Sequence, residues 1–402
     1  MEIRPIVASL KKHRIPAVLI VLEIALACAV LCNAVFMVHQ CIASVNSSNA
    51  IDEAGMSVIT VGGIDASQAP AAIVRDLAAF HSIAGVKAAA AVDRVPLDHD
   101  VWLGSYSATP TEAGWINSSI YFLGDGGERA MGLRLLQGRY FTPEEYAGGA
   151  VGADGKSTSH VVIINESDAK RLWPGQNALG KQLYSDETVW TVIGVVADVL
   201  AQAPDFSGGT GKYSSVFFPL RPDVELGRYV LRSSPADRDR VLAQAMRALG
   251  TLEPGAVLEG HAYVDMRSAY FADVRGMAWM LTLVCAVMLA VTALGIVGLT
   301  SFWVGQRRRQ IGIRRAVGAT HAQILRYFQT ENFLLSTAGV LLGVVLAVAA
   351  NLYLVRHYEV GHLPWSYLAS SVLALWVLGQ VAVLGPALRA AAVPPVVATR
   401  SV

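Results

Sequence analysis

The most informative stretch for the fold is MAWMLTLVCAVMLAVTALGIVGLTSFWV, residues 277–304. It contains no charged residue. At about 1.5 Å per residue, a helix of this length reaches about 42 Å, which exceeds the roughly 30 Å of hydrocarbon in a bilayer. Only a helix or a closed barrel satisfies its own backbone inside lipid. The stretch therefore predicts a helix that crosses a membrane and that either tilts or protrudes.

Three further apolar runs of similar length predict three more spans: Ala17–Val38, Phe333–Leu354 and Ser366–Leu384. Glu23 and Asn33 interrupt the first run, whereas Pro364 and Pro386 bracket the last. The first run is too long for a secretory signal and is expected to be retained. The whole chain is 53% hydrophobic and 16% charged, with a mean hydropathy of +0.44, which is too apolar for an ordinary soluble globule. We therefore expect a membrane protein with four transmembrane helices.

Basic residues near the span ends predict the orientation, because cytoplasmic flanks are enriched in Lys and Arg. They precede the first run, follow the second and lie in the C-terminal tail: Arg4, Lys11, Lys12, Arg14, Arg307, Arg308, Arg309, Arg314, Arg315, Arg389 and Arg400. Both termini are thus predicted to be cytoplasmic. We expect an N-terminal segment with the first span (1–39), a large periplasmic domain (40–275) and a region with three spans (276–402), in the inner membrane.

The near-zero net charge hides an asymmetry. Residues 40–275 hold 19 Lys and Arg against 27 Asp and Glu, a net charge of −8, whereas the remainder holds 13 against 4, a net charge of +9. The basic residues lie at membrane edges, where topology accounts for them, and no basic face with interleaved aromatics is present outside. This distribution argues against a nucleic-acid partner.

Residues 40–275 alternate short apolar runs with helical ones, which predicts an α+β domain, large enough for two lobes. Strands are expected at Ser57–Val61, Trp115–Phe122, Val161–Ile164, Thr188–Val196, Ser214–Phe218 and Tyr229–Arg232, and helices at Ala71–Phe80, Glu166–Leu172 and Ala236–Leu249. Two Gly-rich stretches, Gly148–Ser159 and Ala203–Lys212, are expected to be loops that bound a subdomain of about 50 to 90 residues. From about Val264, a continuous helix is expected to run into the second span.

The sequence contains no catalytic constellation. It has no HExxH, no GxSxG and no paired-Cys zinc pattern. The tripeptide GKS at residues 155–157 resembles the end of a P-loop, but Ala150 stands where the first glycine belongs. The tripeptide DHD at residues 98–100 is better interpreted as a polar turn after Pro96 than as a metal site. We therefore predict no intrinsic enzyme activity, no metal site and no cofactor bound by this chain.

The connection from Gln306 to Asn332 is the most informative segment. Arg307–Arg315 is predicted to continue the second helix past the membrane, and Gly318 supplies a helix stop. Thr320 and Gln323 form a capping-box pair, which predicts a new helix over residues 320–330.

The new helix is amphipathic. One stripe of the helix is apolar and consists of Ile324, Leu325 and Phe328. The residues around it are polar: His321, Gln323, Arg326 and Gln329. Two interpretations remain open from the residues alone: a helix that rests on the lipid surface, or one that docks a protein partner.

Several segments, in order, resemble the FtsX/MacB-type permeases. RRRQIGIRRAVGATHAQILRYFQTENFLLSTAGVLLG (307–343) is similar to the FtsX-like signature, in which a basic helix end, Gly318 and a docking helix precede the third span. GRYF (138–141), VVIINESDAKRLWPGQNALGKQL (161–183) and TVIGVVADV (191–199) resemble the MacB-like periplasmic core, and AAAVPPVVATRSV resembles the family's C-terminus. With the spacing of the helices, the resemblance covers essentially the whole chain.

The resemblance implies a permease subunit of an ABC transporter that works as a dimer with an identical or related permease. A separate cytoplasmic ATPase would bind ATP and Mg, because this chain has no fused ATPase domain. The residues implied to form the ATPase-coupling helix are Thr320, His321, Gln323, Ile324, Arg326 and Tyr327. Mechanotransmission for efflux, with a periplasmic adaptor and an outer-membrane channel, is the expected function. Regulation of a cell-envelope hydrolase, as by FtsX, and lipoprotein release are the alternatives.

Two features within the spans are also candidates for function. Gly339 and Gly343 form a GxxxG pair, extended by Ala347, which favours close packing of helices. Glu23 is a carboxylate within a span, where charge is costly and usually faces protein or water. Two roles remain open for Glu23: coupling at a dimer interface and a structural hydrogen bond to a neighbouring helix.

Overall fold

The computed structural model describes residues 14–64, 67–98, 100–110, 114–146, 159–185, 188–204, 211–219, 227–358 and 362–392. The chain divides into two compact units, one within Met1–Val45 and Val274–Val402 and the other within Asn46–Asp273. The predicted loop Gly148–Ser159, most of Ala203–Lys212, His99 and the termini with Arg4, Lys11, Lys12 and Arg400 lie outside the described residues.

The described helices, in chain order, are α1 (Arg14–Val45), α2 (Ala69–His81), α3 (Gly127–Met131), α4 (Glu166–Leu172), α5 (Arg238–Leu252), α6 (Tyr263–Tyr270), α7 (Ala272–Gln306), α8 (Arg308–Ala316), α9 (His321–Tyr358) and α10 (Trp365–Ala391). The strands are β1 (Met56–Gly62), β2 (Ala88–Val92), β3 (Leu103–Tyr106), β4 (Ile116–Phe122), β5 (Leu135–Gly138), β6 (Val161–Asn165), β7 (Gln182–Tyr184), β8 (Val189–Val196), β9 (Ser215–Phe218), β10 (Arg228–Arg232) and β11 (Val257–Ala262).

Four helices of the first unit, α1, α7, α9 and α10, are long and apolar enough to cross a membrane. They contain the four predicted runs, so the expected number and order of spans are confirmed. α9 packs most extensively on α1 and next on α10. Much of α7 is exposed, including Trp279 and Leu294, which are 77% and 70% exposed. Within this unit, the apolar core therefore centres on α1, α9 and α10.

Two helix boundaries differ from expectation. The predicted helix over 320–330 is not a separate element, because α9 continues from His321 through the third span for 38 residues. No Gly or Pro lies between His321 and Ala338 to stop it. Pro386 does not bracket the fourth span either but lies inside α10. The neighbouring Ala387 and Ala390 are fully buried, and packing against other helices permits an interior proline in a membrane span.

The expected continuous helix from Val264 into the second span is interrupted. Phe271 separates α6 from α7, with φ −88° and ψ 8°, outside the helical region. Its ring is buried and lies 5.6 Å from the Arg267 guanidinium and 5.0 Å from the Tyr270 ring. The break therefore falls at a buried aromatic residue that packs on the last turn of α6.

The second unit contains two sheets. The smaller sheet is antiparallel, in the order β11-β1-β10-β2. Helices α2 and α5 cover it through Phe80, Val241 and Leu249. Its middle strands come from opposite ends of the domain sequence, with Val58 paired to Val230. The smaller sheet therefore brings together the two ends of the domain sequence.

The larger sheet is mixed, in the order β3-β4-β9-β6-β8-β5, with β7 also paired to β8. Its core includes Tyr106, Trp190 and Phe218, whose rings contact one another. All its strands come from the sequence between β2 and β10. The subdomain thus comprises about residues 103–218. It is longer than the segment between the two Gly-rich stretches, because β5 lies before the first stretch and pairs with β8, which lies after it.

All nine predicted strands and helices of this domain are confirmed to within a few residues. One of the strands that were not predicted is β2, whose sequence AAAAV has little strand propensity. Ala89–Val92 are buried and pair with β10. The missed strand is therefore determined by its long-range partner rather than by local sequence.

Asp98 and Asp100 are held by Arg228 of β10. The Arg228 Nη2 atom lies 3.2 Å from Asp98 Oδ2 and 3.3 Å from Asp100 Oδ2, and Nη1 donates to the Asp93 carbonyl at 2.6 Å. The Asp100 N–H donates to Asp98 Oδ1 at 3.3 Å, as in a polar turn. These carboxylates therefore serve an ion-pair network within the domain.

Two buried carboxyls make the domain sensitive to pH. Burial raises the pKa of Asp93 to about 6, although Arg94 Nη1 and Phe122 N donate to it. Burial also raises the pKa of Asp168 to about 6, although Ser118, Ser214 and Ser215 donate to it. Because both folded-state values exceed the unfolded one, the folded domain binds more protons between about pH 4 and pH 6.

We therefore expect the free energy of unfolding of residues 46–273 to fall as the pH rises from about 4 to about 7, by about 3 kcal/mol per carboxyl. Urea unfolding of this segment, followed by tryptophan fluorescence at a series of pH values, measures the change. Asp168→Asn should remove the contribution of this carboxyl, about 3 kcal/mol, from the pH dependence, whatever its effect on absolute stability. A stability that is flat or that rises across this interval would contradict the assignment.

Candidate functional site

The connection between α7 and α9, together with the first turns of α9, contains most of the predicted site residues. Gly318 has φ +99°, which favours glycine, and lies just beyond the end of α8. Its N–H donates to the Arg315 carbonyl at 3.1 Å, and the Ala319 N–H donates to the Arg314 carbonyl at 3.0 Å. This pair of bonds is the Schellman motif, which ends a helix. Gly318 is thus the helix stop that the sequence predicted.

The predicted capping box at the start of α9 is also present. The Thr320 N–H donates to Gln323 Oε1 at 3.0 Å, and the Gln323 N–H donates to Thr320 Oγ1 at 3.3 Å. The Arg315 Nη2 atom donates to His321 Nε2 at 2.9 Å, which links α8 to the first residue of α9. The turn between the two helices is therefore fixed by side chains from both.

Arg307 is buried rather than part of an exposed basic surface. It separates α7 from α8, and its Nη1 atom lies 3.1 Å from both carboxylate oxygens of Glu331 on α9. The exposed fractions of the two side chains are only 9% and 3%. Nη1 also lies 3.4 Å from Tyr327 Oη, and the guanidinium lies 5.6 Å from the Trp303 ring. This ion pair ties the end of the second span to the third.

The other arginines of the connection differ in exposure. Arg308, Arg309 and Arg314 are exposed and Arg315 is half-buried. The Arg314 guanidinium lies 5.1 Å from the Tyr327 ring, so it packs on α9 while its charge faces solvent. The exposed surface of the connection is therefore basic even though Arg307 is buried and does not contribute to it.

The N-terminal part of α9 has two different faces. Ile324 and Phe328 are buried, at 6% and 3% exposure, and pack in the core of the membrane unit. Arg326 lies on the opposite side of the helix and is exposed. No ion pair or side-chain hydrogen bond reaches the Arg326 guanidinium from the residues that the structure describes. The helix thus offers one unengaged cation next to a firmly packed face.

Gly339 and Gly343 lie where α9 meets α1. A Cβ atom at Gly339 would come within 2.8 Å of Ile24 Cβ, and one at Gly343 within 2.5 Å of Cys28 Cβ and 2.8 Å of the Ala25 carbonyl oxygen. Further along the same contact, Asn33 Nδ2 donates to the Ala347 carbonyl at 3.2 Å. The two glycines therefore permit the close approach of the first and third spans.

Gly343→Ala is expected to destabilise the membrane unit by about 1–3 kcal/mol, because the added methyl group overlaps backbone and side chain of α1. Thermal unfolding of the purified chain in detergent measures this effect. Gly298→Ala on α7 is the matched control, since nothing lies within 4 Å of its added Cβ. If Gly343→Ala unfolds at the same temperature as Gly298→Ala, the two helices do not pack as described.

Glu23 of α1 lies against α7. A Cβ atom added to Gly295 would overlap the Glu23 carboxylate, so glycine makes room for this side chain. No hydrogen bond to the Glu23 side chain is present among the residues that the structure describes. The structural hydrogen bond considered for Glu23 is therefore not observed within this part of the chain, and a role in coupling stays a prediction.

The site has the features of a binding surface. The described residues include no group of three His, Cys, Asp or Glu side chains that could hold a metal.

Glu331 is the main residue that the sequence analysis missed. Its rarity is a weak signal, because it is one of only four acidic residues outside 40–275, but neither its burial nor its pairing with Arg307 can be read from the sequence.

Comparisons with known proteins agree with this architecture. A MacB-like periplasmic core domain model matches residues 17–250, and an FtsX-like permease C-terminal model matches residues 282–395. The macrolide export ATP-binding/permease protein MacB of Chromobacterium violaceum is 25% identical over 59% of this chain and 36% of its own length. The pyoverdine export ATP-binding/permease protein PvdT of Pseudomonas aeruginosa is 26% identical over 66% of this chain and 40% of its own length.

Among solved structures, the periplasmic region of MacB from Actinobacillus actinomycetemcomitans is matched over 94% of its length and 55% of this chain, at 15% identity and a TM-score of 0.36. The chain spans well under half the length of the curated relatives described above. Four apolar helices with a large α+β domain inserted after the first, matched by both family models, define a multi-pass membrane permease. With one family model matching more than half of its 402 residues, the chain belongs to the FtsX/MacB-type permeases.

Proposed function

We propose that this chain is the permease subunit of a mechanotransmission-type ABC transporter in the inner membrane. A separate cytoplasmic ATPase would bind ATP and Mg, and its closure would move the spans of two permease subunits and, through them, the periplasmic domains. The chain itself would carry out no catalysis. The names of the relatives, which specify export of macrolides and of pyoverdine, support efflux as the purpose.

The continuity of α9 is the single observation that carries this proposal. One helix of 38 residues contains both the exposed Arg326 and the third span. At about 1.5 Å per residue it is about 57 Å long, so roughly 25 Å extends beyond the hydrocarbon. A rigid helix transmits a push at one end to the other, whereas a separate interfacial helix would not.

The same continuity disfavours the alternative in which residues 320–330 rest on the lipid surface. An interfacial helix lies in the membrane plane, but a segment that continues a membrane span leaves the bilayer along the direction of that span. The buried Arg307–Glu331 pair adds to this argument, since it fixes the first turns of α9 to the end of α7. We infer that the exposed face of these turns, with Arg326, contacts the ATPase.

Efflux would require further partners, namely a periplasmic adaptor and an outer-membrane channel. Affinity purification of the full-length chain from the membranes of its own source, with identification of bound proteins by mass spectrometry, tests the proposal. We expect an ABC-type ATPase subunit and an adaptor protein with a long helical hairpin. An ATPase found with a murein hydrolase, and no adaptor, would instead indicate an FtsX-like regulator. Purification without any ATPase would refute the proposal.

A further inference from the structure

A small cavity lies between α8 and α9 at the end of the spans. Its volume is about 90 Å³, and its polar lining consists of Arg307, Gln310, Arg314 and Gln323, with Tyr327 beside them. This volume is enough for one small polar group.

The chemistry of the lining selects for an anion. Arg307 is nine-tenths buried, and its Nη2 donor has no hydrogen-bond acceptor among the described residues. Burying such a charged donor without a partner is costly. Glu331 neutralises the charge of Arg307, but Arg314 brings a second positive charge, and none of the described residues that line the cavity is acidic. These charges sum to about +1, and one residue of the lining, Arg307, also has an unused buried donor.

The surroundings of the cavity are those of a lipid surface. Ile313 of α8 and Val317, which follows this helix, are 50% and 84% exposed, close to the exposed arginines of α8. Phe302, five residues before Arg307, is 56% exposed at the end of the second span. Apolar and basic side chains exposed together are typical of a segment at the membrane interface, and basic pockets between spans bind lipid headgroups.

From this geometry we propose that the cavity binds the phosphodiester headgroup of an anionic phospholipid, such as phosphatidylglycerol. The phosphate accepts hydrogen bonds from Arg307 Nη2 and from Arg314, while the acyl chains remain in the bilayer beside Phe302. A zwitterionic lipid fits less well, because no carboxylate in the lining pairs with its ammonium group. The bound lipid completes the ion-pair cluster that joins α8 to α9.

Native mass spectrometry of the full-length chain, released from nanodiscs with equal phosphatidylglycerol and phosphatidylethanolamine, tests this proposal. We expect phosphatidylglycerol to remain bound in preference. Arg314→Ala should weaken its retention at least about tenfold, as expected for loss of a charged hydrogen bond. Arg309→Ala, which removes an equally exposed arginine of α8 that does not line the cavity, should retain the lipid within about twofold.

Arg307→Lys is a second variant that keeps the charge opposite Glu331 but removes the unused donor, and it should also weaken retention. Equal losses in Arg314→Ala and Arg309→Ala would overturn the proposal, since binding would then reflect diffuse surface charge. Equal retention of both lipids would overturn it too. Displacement of the lipid by millimolar inorganic phosphate would show that the cavity is a site for free phosphate instead.

Discussion

Glu331→Ala is expected to cause a large loss of folded protein in the membrane. The substitution leaves Arg307, whose side chain is only 9% exposed, buried at the end of the second span without its carboxylate partner. Removing one member of a buried ion pair costs about 3–5 kcal/mol, because the other charge stays uncompensated. That cost is a large fraction of the total stability of a typical domain. Fluorescence-detected size exclusion and thermal unfolding in detergent measure the loss.

The double variant Arg307→Met, Glu331→Leu separates charge from packing. Replacing both members by apolar residues of similar size leaves no unpaired charge, so it should recover most of the stability lost in Glu331→Ala. Glu259→Ala, which removes a surface acid of β11, is a control for loss of an acid as such and should change stability by less than about 0.5 kcal/mol. If Glu331→Ala behaves like Glu259→Ala, the pair does not hold α7 to α9.

Arg326→Glu is expected to abolish binding of the ATPase while leaving insertion and folding unchanged. The side chain is exposed on α9 and engages no acid among the described residues, so reversal of its charge costs little in the isolated chain. At an interface, loss of a paired charge costs about 2–5 kcal/mol, which corresponds to at least about thirtyfold in Kd. Co-purification of the ATPase with the variant, and titration of the two purified subunits, provide the measurement.

Arg309→Glu is the matched control for this variant, because it makes the same charge change at an exposed position of α8. It should retain ATPase binding within severalfold. Normal ATPase capture by Arg326→Glu would contradict the proposed contact. Equal loss in both variants would show that the whole basic connection attracts the ATPase and that α9 has no particular role.

The site was only partly visible in the sequence. Gly318 and the Thr320–Gln323 pair were predictable, because helix stops and capping boxes depend on residues a few positions apart. The partner of Arg307 was not, since Glu331 lies 24 residues further along the chain. Whether an arginine at a span end is exposed or buried depends on the helix that packs against it. Pro386 illustrates the same limit, because a proline ends a helix only where neighbouring packing does not support its continuation.

The sequence by itself determined the four spans, the inserted α+β domain and the membership of the FtsX/MacB-type permeases. Hydrophobic length, strand periodicity and turn residues are local properties, so they can be read without the fold. Only the tertiary structure decided that β2 is a strand, that residues 320–330 belong to one 38-residue helix, and that Arg307 pairs with Glu331. Each of these depends on contacts between residues far apart in the sequence, whose free energies of burial and pairing outweigh local preference.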